Sequence, residues 1–273
     1  MNPTYNIADL QQKARIIRRD IVTMIAAANS GHPGGSLSSV EILVSLYYHM
    51  MKHNPNNPNW EDRDRFILSK GHAAPVLYAT LAESGYFPTS ELNTLRQLDS
   101  RLQGHTERNR VPGIEMSAGS LGQGLSFSIG CALAARLNNK DYRVYTLMGD
   151  GECEEGQVWE AAMAATHFRV DNLCAIVDRN GLQIDGWTRD IMNLEPFADK
   201  WRASGWNVLD VNGHDFEEII DAFEHARNVK QKPTVIIART VKGKGVSFME
   251  NNVDFHGKPP SPAQLEQALK ELA

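Results

Sequence analysis

Between positions 144 and 238 the chain alternates two kinds of pattern, and that alternation limits the fold more than any other feature. Three short, strongly apolar runs, Val144 to Met148, Leu173 to Val177 and Thr234 to Ala238, read as strands. The segments between them, Glu155 to Phe168 and Phe216 to Val229, carry helical patterning. Strand, helix, strand, helix, strand is the order of βαβ units, which predicts an α/β fold with a mainly parallel β-sheet flanked by helices. With 273 residues, 42% of them hydrophobic and 22% charged, one domain spanning 1–273 is expected.

Upstream, Leu10, Ala14, Ile17, Ile21 and Met24 form the stripe of an amphipathic helix, and Lys13, Arg15, Arg18 and Arg19 read as its solvated face. The turn-rich segment Ser30-Gly31-His32-Pro33-Gly34-Gly35 breaks that helix, and a second apolar-periodic run follows from Val40 to Met51. Further loops hold Ser69-Lys70-Gly71-His72 and Gly104-His105-Thr106-Glu107. Gly119-Ser120-Leu121-Gly122-Gln123-Gly124 then leads into Leu125 to Leu137, whose small and apolar residues predict a buried helix. Ser261 and Pro262 supply an N-cap and a first-turn proline for a final helix, Ala263 to Leu272.

The formal net charge of -5 argues against nucleic-acid binding, which needs a concentrated basic face. Cys131, Cys153 and Cys174 are odd in number and include no CxxC pair, which disfavours a disulfide framework or a structural zinc site and suits a cytoplasmic location. The longest apolar stretch near the N-terminus, Met24 to Ala28, is too short for a signal segment or membrane span, so neither export nor anchoring is expected.

Met148-Gly149-Asp150-Gly151 lies where the first apolar strand ends, the edge at which parallel sheets bind ligands. The glycines would let backbone approach a diphosphate, and Asp150 offers a hard oxygen to a magnesium ion. Asn180 follows the second strand. A right-handed crossover would bring Asp150 and Asn180 to one edge, where one carboxylate, one amide oxygen, a backbone carbonyl such as that of Leu182, phosphate oxygens and water would complete an octahedron. Alone, Asp-Gly is a common turn pair; the flanking strands and helix favour the metal site.

The stretch from Gly149 to Gly186, GDGECEEGQVWEAAMAATHFRVDNLCAIVDRNGLQIDG, resembles the thiamine-diphosphate motif of transketolases. SGHPGGS, LSKGHAAPVLYA, GHTE, GSLGQGL and KGKGVSFMENNVDFHGKP fall in the transketolase order, so the resemblance spans nearly the whole chain and is to the N-terminal, diphosphate-binding domain with its thiamine-diphosphate-binding fold. It implies thiamine diphosphate and Mg2+, with Ca2+ or Mn2+ able to substitute. Asp150, Asn180 and the main chain of Leu182 would hold the metal, and Gly151 would lie against the diphosphate. Gly119 and Leu121 would line the cofactor pocket, His72 and Lys242 would contact the diphosphate side, and His32, His105 and His256 would surround the ketose, with His256 also at the cofactor. Imidazole suits this work because near neutral pH it can donate or accept a hydrogen bond or move a proton. His49, His53, His167, His214 and His225 are read as structural or surface residues. Glu155 matches the acidic residue that hydrogen-bonds toward a cofactor-activating glutamate of the other chain, although a glutamate in a first helical turn also favours the helix dipole. Lys70 and Lys244 read as solvated charges. Thr106 and Ser120 stand where proline is frequent in the family, which bears on loop rigidity.

The resemblance also implies what is missing. Transketolases carry the activating glutamate, and most sugar-phosphate contacts, on a pyrimidine-binding domain that this sequence lacks. A partner chain with pyrimidine-binding and C-terminal domains is therefore expected, in an α2β2 assembly acting on sugar phosphates, with pentose phosphates the family default. The implied reaction is two-carbon ketol transfer from a ketose phosphate to an aldose. The alternatives are a non-catalytic cofactor-binding or regulatory fragment, disfavoured by the intact Asp150, Asn180 and histidines, and another thiamine-dependent ketol or acyl transferase, disfavoured by the motif spacing.

Overall fold

A computed structural model describes residues 5–273. The chain opens with α1 (Ile7–Ala28), capped by Asn6 in a reciprocal box with Asp9, followed by α2 (Pro33–Leu37) and α3 (Val40–Ser45), which runs on as a π-helical turn to Met50. Strand β1 (Arg65–Leu68) leads to α4 (Ala74–Glu83), and a long irregular segment then reaches α5 (Gln123–Leu137). The alternating region comprises β2 (Val144–Gly149), α6 (Gly156–His167), β3 (Leu173–Arg179), α7 (Thr188–Ile191), α8 (Phe197–Ala203), β4 (Asn207–Asn212), α9 (Phe216–Asn228) and β5 (Thr234–Arg239). The last helix, α10 (Pro262–Glu271), has Ser261 as N-cap in a capping box with Gln264, so the cap and first-turn proline read from the sequence are both present.

All five strands are parallel, in the order β1-β2-β3-β5-β4. Successive side chains of a strand face opposite ways, and the two faces fill two separate cores. Cys174 and Ile176 of β3 join Tyr145, Leu147 and Ile236 against α1, α3, α4 and α9. Leu173, Ala175 and Val177 join Val144, Met148, Val235 and Ile237 against α5, α6 and α8. Helices on both faces are why the central strands are apolar throughout rather than alternating.

Two strands escaped the sequence reading. β1 has four residues, preceded by the charged run Glu61 to Asp64, and β4 is a polar edge strand whose residues, Val211 apart, are at least partly exposed. The helix after the glycine loop needs correction: only Gly124, Leu125, Ser128, Ile129, Ala132 and Ala135 of α5 are buried, while Gly130 and Leu137 face solvent. The solvated basic face of α1 is likewise corrected. Arg18 is buried against Glu41, Arg19 donates to the carbonyl of Leu269, and Lys13 pairs with Glu83. Among the described residues no helix is long and apolar enough to cross a membrane, and the three cysteines are free thiols.

Candidate active site

The carboxyl ends of β1, β2, β3 and β5 converge on one rim, where a cavity of about 330 Å³ opens. Its lining includes every residue singled out by the family resemblance for a metal, cofactor or substrate role: His32, His72, His105, Gly119, Leu121, Asp150, Gly151, Glu155, Asn180, Leu182, Lys242 and His256. They come from six separate segments that only the parallel topology brings together.

Asp150 follows β2 and Asn180 follows β3, and the register pairs Gly149 with Asp178, so both lie at neighbouring strand ends. Asp150 accepts the N–H groups of Gly151 (3.0 Å) and Gly181 (2.6 Å). The Asn180 amide oxygen accepts from Leu182 N at 3.1 Å, and the Leu182 carbonyl accepts from Lys242 Nζ at 2.9 Å. Asp150 is buried and, among the described residues, forms no ion pair. Burial, then the charge of Asp178, pushes its pKa up to about 7. A buried carboxylate without a cationic partner, beside an amide oxygen and a carbonyl, is a hard-oxygen donor set that fits a divalent cation.

Asp178 and Lys70 support the cavity wall, and sequence reasoning missed both. Lys70 is not a solvated charge. It is 1% exposed and ion-paired with Asp178, which is wholly buried. The same carboxylate accepts from Ser38 Oγ (2.6 Å), Asn180 Nδ2 (3.1 Å) and the hydroxyl of Thr240. Burial opposes its ionisation, but the Lys70 ammonium and these hydroxyls prevail and hold Asp178 below the usual carboxylate range. Because the amide nitrogen of Asn180 is committed to Asp178, its oxygen is turned the other way. The signal available was Asp-Arg-Asn at the end of an apolar strand; Lys70 had none, because β1 was unseen. Glu152, also missed, is buried and binds Gly122 N (2.9 Å), Gly149 N (3.0 Å) and the hydroxyl of Ser69, tying the glycine loop to the ends of β1 and β2. Where Ser69 passes that loop, a Cβ on Gly124 would lie 2.3 Å from it, so only glycine fits.

The four histidines form one cluster around His32, whose ring centroid is 5.4 Å from His72 and 5.7 Å from both His105 and His256. His72 stacks on His256 at 5.2 Å. Burial, then the positive charge of Arg96, lowers the pKa of His32 to about 4. Burial and Lys242 lower His256 to about 3, and His72 and His105 are also shifted down, first by burial. These shifts all favour the neutral imidazole. Lys242 donates to His256 Nδ1 at 2.9 Å and Arg96 to His32 Nδ1 at 3.4 Å, which leaves the ring proton of each on Nε2. Lys242 is itself buried, and burial followed by Lys70 lowers its pKa to about 8.

Glu155 is exposed at the cavity rim in extended conformation, one residue before α6, and its side chain makes no capping bond. At the N-cap its carboxylate still suits the helix dipole, so that explanation stands beside the cofactor-side one. Of the histidines set aside, His214 is structural: it bridges Glu41 and Val241 N.

Comparison with known proteins agrees with this geometry. Residues 9–273 match the family described as "Transketolase, thiamine diphosphate binding domain". The chain is 46% identical to the 6-deoxy-6-sulfo-D-fructose transketolase subunit SqwG of Clostridium sp. strain MSTE9 over 97% of this chain and 96% of that one. It is 42% identical to an apulose-4-phosphate transketolase subunit from Phocaeicola vulgatus, covering 98% of this chain and 95% of that one. The crystal structure of transketolase from Campylobacter jejuni superposes with a TM-score of 0.93 at 38% identity, covering 98% of this chain but 43% of that one. The chain thus spans about two fifths of the solved transketolase it matches, and nearly all of the relatives named as transketolase subunits. It belongs to the transketolase family and corresponds to that family's thiamine-diphosphate-binding domain.

Proposed function

We propose that this chain is the diphosphate-binding subunit of a two-chain transketolase, holding thiamine diphosphate through a divalent cation, Mg2+ or substituting Ca2+ or Mn2+. The observation that carries the reading is the convergence of Asp150, Asn180 and the Leu182 carbonyl with His32, His72, His105 and His256 in one cavity. When bound, thiamine diphosphate supplies the carbon nucleophile and electron sink for carbon–carbon cleavage. This chain's residues bind and orient around it. Asp150, Asn180 and Leu182 hold the cation; Gly151, His72 and Lys242 face the diphosphate; Gly119 and Leu121 line the pocket.

His32, His105 and His256 then serve the sugar. As neutral imidazoles they offer N–H donors to ketose oxygens and can take up a proton without first losing one. Glu155, exposed at the rim, would meet a carboxyl group from a partner chain with pyrimidine-binding and C-terminal domains, in an α2β2 assembly. That such relatives are named as subunits, and that this chain matches two fifths of single-chain transketolases, supports the partner. The transferred group is a two-carbon ketol unit.

The test is to mix this chain with a candidate partner chain, Mg2+ and thiamine diphosphate, and to measure ketol transfer to an aldose phosphate. Donors would be xylulose 5-phosphate, 6-deoxy-6-sulfofructose and apulose 4-phosphate. Activity only in the mixture, abolished by Asp150→Ala, is expected. A stable, cofactor-loaded mixture inactive on all three donors would sink the transketolase assignment in this form.

A further inference from the structure

Away from the cavity, a buried acid gathers two bases onto one backbone turn. Glu41 Oε2 accepts from Arg18 Nη2 at 2.8 Å and from His214 Nδ1 at 3.0 Å. His214 Nε2 accepts the Val241 N–H at 2.8 Å, which fixes the tautomer: the ring proton is on Nδ1, directed at Glu41. Arg18 Nε donates to the Lys244 carbonyl at 3.0 Å. Two backbone groups on either side of Lys242 are thus gripped by side chains from α1 and from the β4–α9 loop, both anchored on one carboxylate from α3. None of the three lines the cofactor cavity; they border a separate cavity of about 420 Å³ with Ile7, Gln11 and Ala14.

We propose that Arg18, Glu41 and His214 are positioning residues that set the 240–246 turn and, through it, the Lys242 ammonium over the Leu182 carbonyl and His256. Charge neutralisation alone does not require the third member, since Arg18 already balances Glu41. What His214 adds is an acceptor for an N–H one residue from Lys242. The turn has a geometry that needs holding: Gly243 sits at φ +81°, and a Cβ there would meet the Met249 carbonyl oxygen at 2.3 Å. The inference rests on the proposed role of Lys242 at the diphosphate.

The test pairs His214→Gln with His214→Asn in the full chain. A glutamine oxygen reaches the place of Nε2 and keeps the Val241 bond while losing the donor to Glu41; an asparagine amide takes the place of Nδ1 and does the reverse. Each variant forfeits one hydrogen bond, so a merely structural residue predicts equal effects. Hydrogen exchange of the 240–257 amides is read first. His214→Asn should speed it about tenfold, the scale of one hydrogen bond, with β2 and β3 unchanged, while His214→Gln stays near the parent. Arg18→Lys, which keeps a charge near Glu41 but cannot also reach Lys244, should speed the same segment from the other side. Equal exchange in the Gln and Asn variants would overturn the proposal. Thiamine diphosphate with Mg2+ is then titrated into the same samples, and weaker binding only by His214→Asn and Arg18→Lys is expected. If the parent chain alone binds no cofactor, the titration is repeated on the complex with the partner chain; no binding there overturns the cofactor reading, while the exchange data still decide the relay.

Discussion

Lys70, in the cavity wall, and Asp178 behind it form an ion pair with both side chains essentially out of solvent, 1% and 0% exposed. Four segments meet on that carboxylate, because Ser38, Lys70, Asn180 and Thr240 all donate to it. Removing one partner of such a pair leaves a buried charge uncompensated. Asp178→Asn is therefore expected to cost about 3–5 kcal/mol of folding stability. Urea denaturation measures it; a change below about 1 kcal/mol would mean that the pair is not buried in solution.

Metal and cofactor should stabilise together. Saturating Mg2+ and thiamine diphosphate, at about 100 times the apparent Kd, should add about 2.7 kcal/mol, and EDTA should reverse the gain. Asp150→Ala should abolish the gain, and because it removes a buried carboxylate without an ion-pair partner but also leaves the Gly151 and Gly181 N–H groups unpaired, the gain is read against the variant's own cofactor-free melting temperature. A gain that survives both EDTA and Asp150→Ala would place the cation elsewhere.

The depressed pKa of His32 has a signed consequence. Its folded value of about 4 lies below the ordinary 6.5, so between those values the unfolded chain binds more protons. Its contribution is fully present above pH 6.5 and is lost as the pH falls toward 4. Stability measured from pH 7.5 to 4 should decline through this window, and His32→Gln should flatten part of the slope. Imidazolium signals from His32 in an NMR titration at pH 6 would contradict the assignment.

Two glycines of α5 should respond oppositely. Gly124→Ala drives a methyl to within 2.3 Å of Ser69 and should destabilise strongly, whereas a Cβ on Gly130 meets nothing within 4 Å. Gly130→Ala should stabilise the isolated chain by about 0.5–1 kcal/mol, the helical cost of glycine. Thermal melts of both variants decide this.

The sequence was most legible where one residue's neighbours in the chain are also its neighbours in space. The central strands β2, β3 and β5 and the capped helix α10 could be read from periodicity and local chemistry. Asp150 and Asn180 were legible because each directly follows an apolar strand. Lys70 was not, because β1 is four residues long and its membership of the sheet depends on pairing with β2, more than seventy positions away. Arg18 misled for a related reason: its helical position is on a charged flank, and Glu41 covers it only after α3 docks. The burial that makes the histidines neutral is likewise a property of four distant loops, invisible in any one of them.

Because every strand runs the same way, the two ends of the molecule are unequal. The turns entering β2, β3 and β5, at 138–143, 168–172 and 229–233, all lie on the far side of the sheet from the cavity. They form a natural handle: a reporter group, tether or short inserted peptide attached there would sit a full strand length from the chemistry. Redesign of the rim loops could then proceed independently of labelling at the other end.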